Sequence, residues 1–301
     1  MYLYHFGIRE LPFTLTPNTS YYFGLPSHNE ALEVLLTALK TGEGFIKVTG
    51  EVGTGKTLLC RKLLNELPGF FHTAYIPNPM LSPEDLRRAV ASELEVELGE
   101  SVDAQSFTQK IQQRLMAIHQ QNKSVVLIID EAQALPDDTM EALRLMTNLE
   151  TESRKLLQVV LFGQPELDEK LACAAFRQLR QRITFSYALK LMDADQIFQY
   201  VAHRMQVAGY ANPPVFTPRC CQLLYKASGG IPRIVNVLCH KALMLAYGEG
   251  RAVVIPADIR LAAKDTEAAR TPASLMIPAA LCGLFGVTLM AALLWHSGVS
   301  L

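Results

Sequence analysis

Neither sign of charge is in excess in this 301-residue sequence: 28 Lys and Arg stand against 29 Asp and Glu, a net charge of −1. A chain so close to neutral has no electrostatic footprint for sequence-independent binding of nucleic acid. Cysteine is sparse and unpatterned. Cys60, Cys173, Cys220, Cys221, Cys239 and Cys282 form no Cys-x-x-Cys pair, which excludes the usual zinc and dithiol motifs and predicts buried, reduced thiols. Met1 to Phe13 lacks a basic stretch followed by an apolar run, so it does not read as a secretory signal. Internal repeats and low-complexity segments are missing as well. The last absence is the sharpest: from Thr271 to Leu301 there is no Lys, Arg, Asp or Glu.

What is present is a chain that is 50% apolar, which excludes disorder, and long enough for one large domain or two smaller ones. In the uncharged tail, Leu275 to Trp295 spans 21 residues, of which 17 are apolar. As a helix it would be about 30 Å long, the thickness of a bilayer's hydrocarbon core. Arg260, Lys264 and Arg270 precede it and no cation follows. The expectation is therefore a transmembrane helix at 275–295, with residues 1–270 in the bacterial cytoplasm and 296–301 as a short tail beyond the inner membrane.

Along the charged part, apolar strands alternate with helical periods. Ser27 reads as the cap of a helix carrying Leu32, Leu35, Leu36 and Leu39 and stopped by Gly42. Strands are predicted at 45–49, 72–76, 124–129 and 157–162, with helices between them, one signalled by Ser82-Pro83-Glu84-Asp85. Such alternation implies βαβ crossovers and a parallel sheet covered on both faces. After Leu189 helical periods follow one another near 193–208, 217–227, 231–247 and 256–268. The reading is an α/β domain over 1–190 and a helical lid subdomain over 191–270.

The chemistry concentrates at two places. Gly50-Glu51-Val52-Gly53-Thr54-Gly55-Lys56-Thr57 fits G-x-x-x-x-G-K-[ST] between a predicted strand and a predicted helix. Glycines let the loop turn so that successive N–H groups face one anion, and the helix N-terminus adds partial positive charge. Lys56 would reach the β- and γ-phosphates of ATP and Thr57 would ligate Mg²⁺. Some 75 residues later, Val125 to Ile129 is an apolar run ending in Asp130-Glu131. A buried central strand presents its terminal carboxylates at the sheet's C-terminal edge, beside the phosphate loop. Asp130 would hold Mg²⁺ and Glu131 would orient or deprotonate the attacking water.

With a following helical lid, these motifs resemble the AAA+ P-loop ATPases. Several stretches are similar to the ExeA/GspA family of general-secretion ATPases and its relatives in mannose-sensitive haemagglutinin (MSHA) pilus biogenesis. They are Leu11–Pro17, Gly50–Thr57, Ile129-Asp130-Glu131-Ala132-Gln133, Leu161–Leu167, Leu179-Arg180-Gln181-Arg182-Ile183 and Gly229–Asn236, so the likeness extends from residue 1 to about 268.

The resemblance implies three further roles. Gln164, after the strand 157–162, stands where these ATPases carry the polar "sensor 1" that helps position the water. Arg233, following Gly-Gly-Ile-Pro, is similar to the "sensor 2" arginine that couples the lid to the γ-phosphate. Arg182 first, then Arg180, with Arg177 beside them, would offer an arginine finger to a neighbouring subunit, which implies a homo-oligomer. The secretion ATPases carry a periplasmic peptidoglycan-binding domain beyond their membrane helix; here the sequence ends six residues after Trp295, so the pilus relatives fit better. The leading expectation is a membrane-tethered ATPase that acts with inner-membrane pilus or secretion assembly proteins. The competing readings are a DNA-associated ATPase of the transposition-regulator or Holliday-junction type, opposed by the net charge, and a nucleotide-gated scaffold, opposed by the presence of Glu131.

Overall fold

The computed structural model describes residues 2–96, 104–148 and 155–270. Five strands, β1 (Phe45–Thr49), β2 (Phe71–Ile76), β3 (Ser124–Ile129), β4 (Leu157–Gly163) and β5 (Ile183–Ala188), form one parallel sheet in the order β2-β3-β4-β1-β5. The helices are α1 (Tyr2–Phe6), α2 (Pro26–Thr41), α3 (Lys56–Glu66), α4 (Pro83–Glu93), α5 (Ala104–Gln120), α6 (Asp137–Met146), α7 (Pro165–Ala172), α8 (Arg177–Arg180), α9 (Ala194–Val207), α10 (Pro218–Ser228), α11 (Pro232–Gly248) and α12 (Pro256–Lys264).

The reason β3 reads as an unbroken apolar run is visible in its packing. Val125, Leu127 and Ile129 enter one core with residues of α4 to α7, while Val126 and Ile128 enter a second with α2 and α3. Side chains alternate across a strand, so a strand buried on both faces must be apolar at every position. β4 is buried along its whole length and includes Gln158, whose amide donates to the carbonyls of Leu39 and Glu43, each at 3.0 Å, where α2 ends. At the opposite extreme, β5 is an edge strand with Thr184, Phe185 and Ser186 exposed.

The lid has its own core, built from α9 to α12, with Ile197, Leu224, Leu238 and Ile259 at its centre. Tyr2, Phe6, Ile8, Phe13 and Leu25 belong to that core and not to the sheet's. Residues 2–25 thus form a strap that starts on the lid and runs to α2. Arg204 of α9 fastens it: buried, it donates to the carbonyls of Pro12 (2.5 Å) and Thr14 (3.4 Å) and to the Tyr200 hydroxyl (3.0 Å).

Local signals mostly behave as expected. Ser82 Oγ accepts from the Asp85 N–H, capping α4. Ser27 does not cap α2. Pro26 occupies the first turn, where its missing N–H costs nothing, and Ser27 Oγ instead accepts from the Lys190 N–H at 2.8 Å. Cys60, Cys220, Cys221 and Cys239 are buried free thiols, but Cys173 is exposed, because it lies where α7 ends and the chain turns outward.

The inner-membrane location needs correction. Among the described residues no helix is long and apolar enough to cross a membrane. The segment 275–295 on which the expectation rested, and the tail 296–301, lie outside the described residues.

Candidate functional site

The parallel topology puts the C-terminal ends of β1, β3 and β4 side by side. From β1 the chain enters the loop Gly50–Gly55, whose turn requires positive φ at Gly53 (+82°) and Gly55 (+98°), before α3 begins at Lys56. Lys56 is 5% exposed, and its ammonium donates to the carbonyls of Gly50 (2.7 Å) and Glu51 (3.0 Å) inside its own loop. Burial pulls its pKa below the ordinary lysine value, while the carboxylates of Glu131, Asp130, Glu51 and Glu166 act in the other direction.

β3 delivers the two acids with different surroundings. Asp130 is buried; its Oδ2 accepts from the Thr57 hydroxyl at 2.7 Å and its Oδ1 from the Glu131 N–H at 2.9 Å. Burial raises its pKa, and those two hydrogen bonds oppose the rise. Glu131 has a left-handed backbone (φ +51°). Its Oε2 accepts from both the Gln133 amide (2.6 Å) and the Gln164 amide (2.9 Å). Burial acts to raise its pKa, but those donors and the Lys56 charge outweigh it, and the carboxyl lies below its ordinary value. Two neighbouring carboxyls are thereby pushed in opposite directions, which suits them to different tasks.

The hydroxyl–carboxylate pair of Thr57 and Asp130 fits Mg²⁺. Both ligands are hard oxygens, the buried carboxylate accepts only from neutral donors among the described residues, and the phosphate loop lies alongside. No group of three or more His, Cys, Asp or Glu is assembled among the described residues. The protein would therefore supply two oxygens and leave the remainder to phosphate and water, as Mg²⁺ sites beside nucleotides commonly do.

These elements open onto a cavity of about 220 Å³. Its floor is Val52 to Leu58, with Glu131 and Gln164 at the phosphate end. One wall is the strap, Thr14 to Asn18 and Tyr21 to Phe23; the other is the lid, through Tyr200, Arg204, Pro232, Arg233 and Asn236. The start of α11 sits directly on the phosphate loop, since the Arg233 N–H donates to the Gly53 carbonyl at 3.1 Å.

Of the residues the sequence singles out, the structure brings Gly50–Thr57, Asp130, Glu131, Gln164 and Arg233 together at this place. Arg180 and Arg182 do not line the cavity. Arg180 donates to the Ala172 carbonyl at 3.2 Å. Arg182 is half-buried and donates to the Arg144 carbonyl and the Thr147 hydroxyl, each at 3.2 Å.

His28 belongs to no motif in the sequence, yet it lies against the phosphate loop. Its Nε2 lies 2.9 Å from the Thr54 carbonyl, so that nitrogen carries the hydrogen; the buried Nδ1 has no hydrogen-bond partner among the described residues. Burial lowers its pKa, with the Thr54 bond opposing, so the ring that braces the phosphate loop is biased to neutrality. Tyr200, Arg204 and Asn236 also escaped sequence reasoning. Only Asn236 carried a signal, as the last residue of the Gly229–Asn236 stretch.

Comparison with known proteins agrees with this geometry. Residues 39–171 match the AAA domain family. General secretion pathway protein A of Aeromonas hydrophila is 43% identical over 270 residues, covering 90% of this chain and 49% of that protein. The chain thus spans about half the length of the curated relative it matches. Among solved structures, Cdc6p of Pyrobaculum aerophilum superposes with a TM-score of 0.62 at 18% identity, covering 83% of this chain and 71% of that one. The RuvB Holliday junction branch migration motor of Thermotoga maritima gives 0.56 at 15%, covering 85% and 73%. At such identities the likeness is one of fold, an α/β P-loop architecture with a parallel sheet.

Proposed function

We propose that this chain, whose residues 39–171 match the AAA domain family, is an ATPase that runs a Mg²⁺-dependent cycle, activated by self-association, and drives assembly or remodelling of a secretion or type IV (MSHA-like) pilus complex. The observation that carries the reading is the convergence of Lys56, Thr57, Glu131, Gln164 and Arg233 on one cavity, with Asp130 hydrogen-bonded to Thr57 behind it. The 43% identity to general secretion pathway protein A supports the choice of process.

The proposed division of labour follows from the surroundings of each group. Loop N–H groups from Gly50 to Thr57 and the N-terminus of α3 cradle the phosphates. Lys56 exchanges its two loop carbonyls for phosphate oxygens, so an internal contact holds the ammonium in place until substrate arrives. Thr57 and Asp130 would hold Mg²⁺, which would supply positive charge against that developing on the phosphates. Glu131 orients water and takes its proton; its two amide donors hold the carboxylate in place for that role. Arg233 approaches the phosphates from the lid, so the angle of α11 against the loop reports nucleotide state.

A cation contributed by a second copy would complete the site and is worth roughly 10³- to 10⁵-fold in rate where it acts. Arg177 and Arg180 suit that role better than Arg182, which would have to abandon two half-buried acceptors to reach outward.

The test is a trap. Glu131→Gln protein should bind ATP and stall, retaining secretion or pilus assembly proteins only with ATP present and not when Lys56→Ala is added. Retention of DNA in their place, at roughly 150 mM salt, would overturn the proposed process.

A further inference from the structure

Among the residues facing the phosphate end, Gln133 is conspicuous because it touches both partners of the proposed hydrolytic pair without lining the cavity itself. Its Nε2 donates to Glu131 Oε2 at 2.6 Å, and its Oε1 accepts from the backbone N–H of Gln164 at 3.0 Å. The Gln164 side-chain amide donates to the same Glu131 oxygen at 2.9 Å, closing a ring of three hydrogen bonds. We propose that Gln133 is a positioning residue that locks Glu131 to Gln164, so that carboxylate and amide present themselves to the nucleotide as one unit. The inference rests on the hydrolysis reading above.

Several features are otherwise unexplained. The left-handed backbone at Glu131 (φ +51°) leads straight into a single tight turn over Ala132–Ala134, which swings Gln133 back beside its neighbour. Such a conformation is costly for a residue with a side chain and persists only where its surroundings demand it. Gly163, at the end of β4, leaves the space. A Cβ there would stand 3.4 Å from Gln133 Oε1, and only 2.6 Å from the side chain of Leu167. Gln164 occupies the N-cap of α7 yet makes no capping bond with its side chain, which is spent on Glu131 instead. Outside the ring, Lys170 of α7 donates to the Leu135 carbonyl and pairs with Asp137 at 2.8 Å, bracing the same two segments.

The geometry also says what the lock does. Both amide donors converge on Oε2, and no hydrogen bond to Oε1 is found among the described residues. One oxygen fixes the orientation and the other is left to receive a proton. The amide of Gln164, held at backbone and side chain, cannot shift without carrying the carboxylate along.

Two substitutions separate the two halves of Gln133. Gln133→Met keeps the length and removes donor and acceptor. Gln133→Glu keeps an acceptor for the Gln164 N–H but has nothing to donate to Glu131. In the nucleotide-free protein, amide exchange at Gln164 should accelerate in Gln133→Met and remain near wild type in Gln133→Glu. In turnover, both variants should lose about 10- to 100-fold in kcat, the penalty of a slightly misplaced group. KM for ATP and the Kd for ADP should stay within about twofold of wild type, reflecting lost positioning and not a lost site. Unchanged exchange at Gln164 in Gln133→Met overturns the lock whether or not the chain hydrolyses ATP. So does a kcat within twofold of wild type in both variants, or a loss of kcat matched by an equal loss of ADP affinity. Failure of the hydrolysis reading itself would look different: wild type and Glu131→Gln would turn over alike, with the exchange result intact.

Discussion

Replacing Gly53 with alanine probes the contact between phosphate loop and lid more cleanly than any change to a charged group. Gly53 has φ +82°, a conformation costing about 1–2 kcal/mol for a residue with a Cβ. The new methyl would also lie 2.5 Å from Arg233 Cβ and 3.2 Å from both Arg233 Cδ and Ile231 Cγ2. The first of these atoms is rigidly attached to α11 and cannot swing aside. Restoring an ordinary carbon–carbon contact of about 3.5 Å requires the loop and the start of α11 to part by roughly 1 Å. That parting strains the 3.1 Å bond from the Arg233 N–H to the Gly53 carbonyl and moves Arg233 relative to the phosphates. The backbone strain alone should lower Tm by about 2–8 °C for a protein of this size, and a 1 Å displacement at the site should cost up to about 100-fold in turnover. Gly69→Ala is the control, because a Cβ there meets nothing within 4 Å. Differential scanning fluorimetry and a coupled phosphate-release assay read the two effects. A Gly53→Ala protein with wild-type Tm and turnover within twofold would refute a lid seated on the loop in the working enzyme.

Two other perturbations follow from side-chain surroundings. Arg204→Met preserves packing but strips the Pro12 and Thr14 carbonyls of a buried cationic donor; it should destabilise by about 3 kcal/mol in urea unfolding and weaken nucleotide binding, and a loss below about 1 kcal/mol would show that the strap is held by other contacts. Arg177→Ala should leave binding of ATP intact while removing most self-association-dependent turnover, and unchanged turnover would assign the trans role elsewhere.

Much of this was legible in sequence because the signals are local. β3 from Val125 to Ile129, and β4 apart from Gln158, are apolar for the physical reason that both faces are covered, and the lid helices announce themselves through successive helical periods. The phosphate loop and the Asp130-Glu131 pair are contiguous motifs whose chemistry demands those residue types. The strap was not legible, since Tyr2, Phe6 and Phe13 follow no period and find their partners some 200 residues away in the lid. His28 carries no sequence signal because its contact with Thr54 is made only in the folded chain. Gln133 lay inside a recognised stretch, yet its role depends on where β4 ends, which sequence spacing does not report. Arg182, the first finger candidate that the resemblance implies, is hydrogen-bonded to Arg144 and Thr147 of its own chain.

The central claim is that the cavity between phosphate loop, strap and lid hydrolyses ATP with Glu131 as the water-activating group. It is tested most directly by measuring ATP affinity and turnover side by side for wild type and Glu131→Gln in the presence of Mg²⁺. ATP affinity should stay within a few-fold of wild type and turnover should fall at least about 100-fold, the lower end of the range for a lost general base. Equal turnover in the two proteins would contradict it.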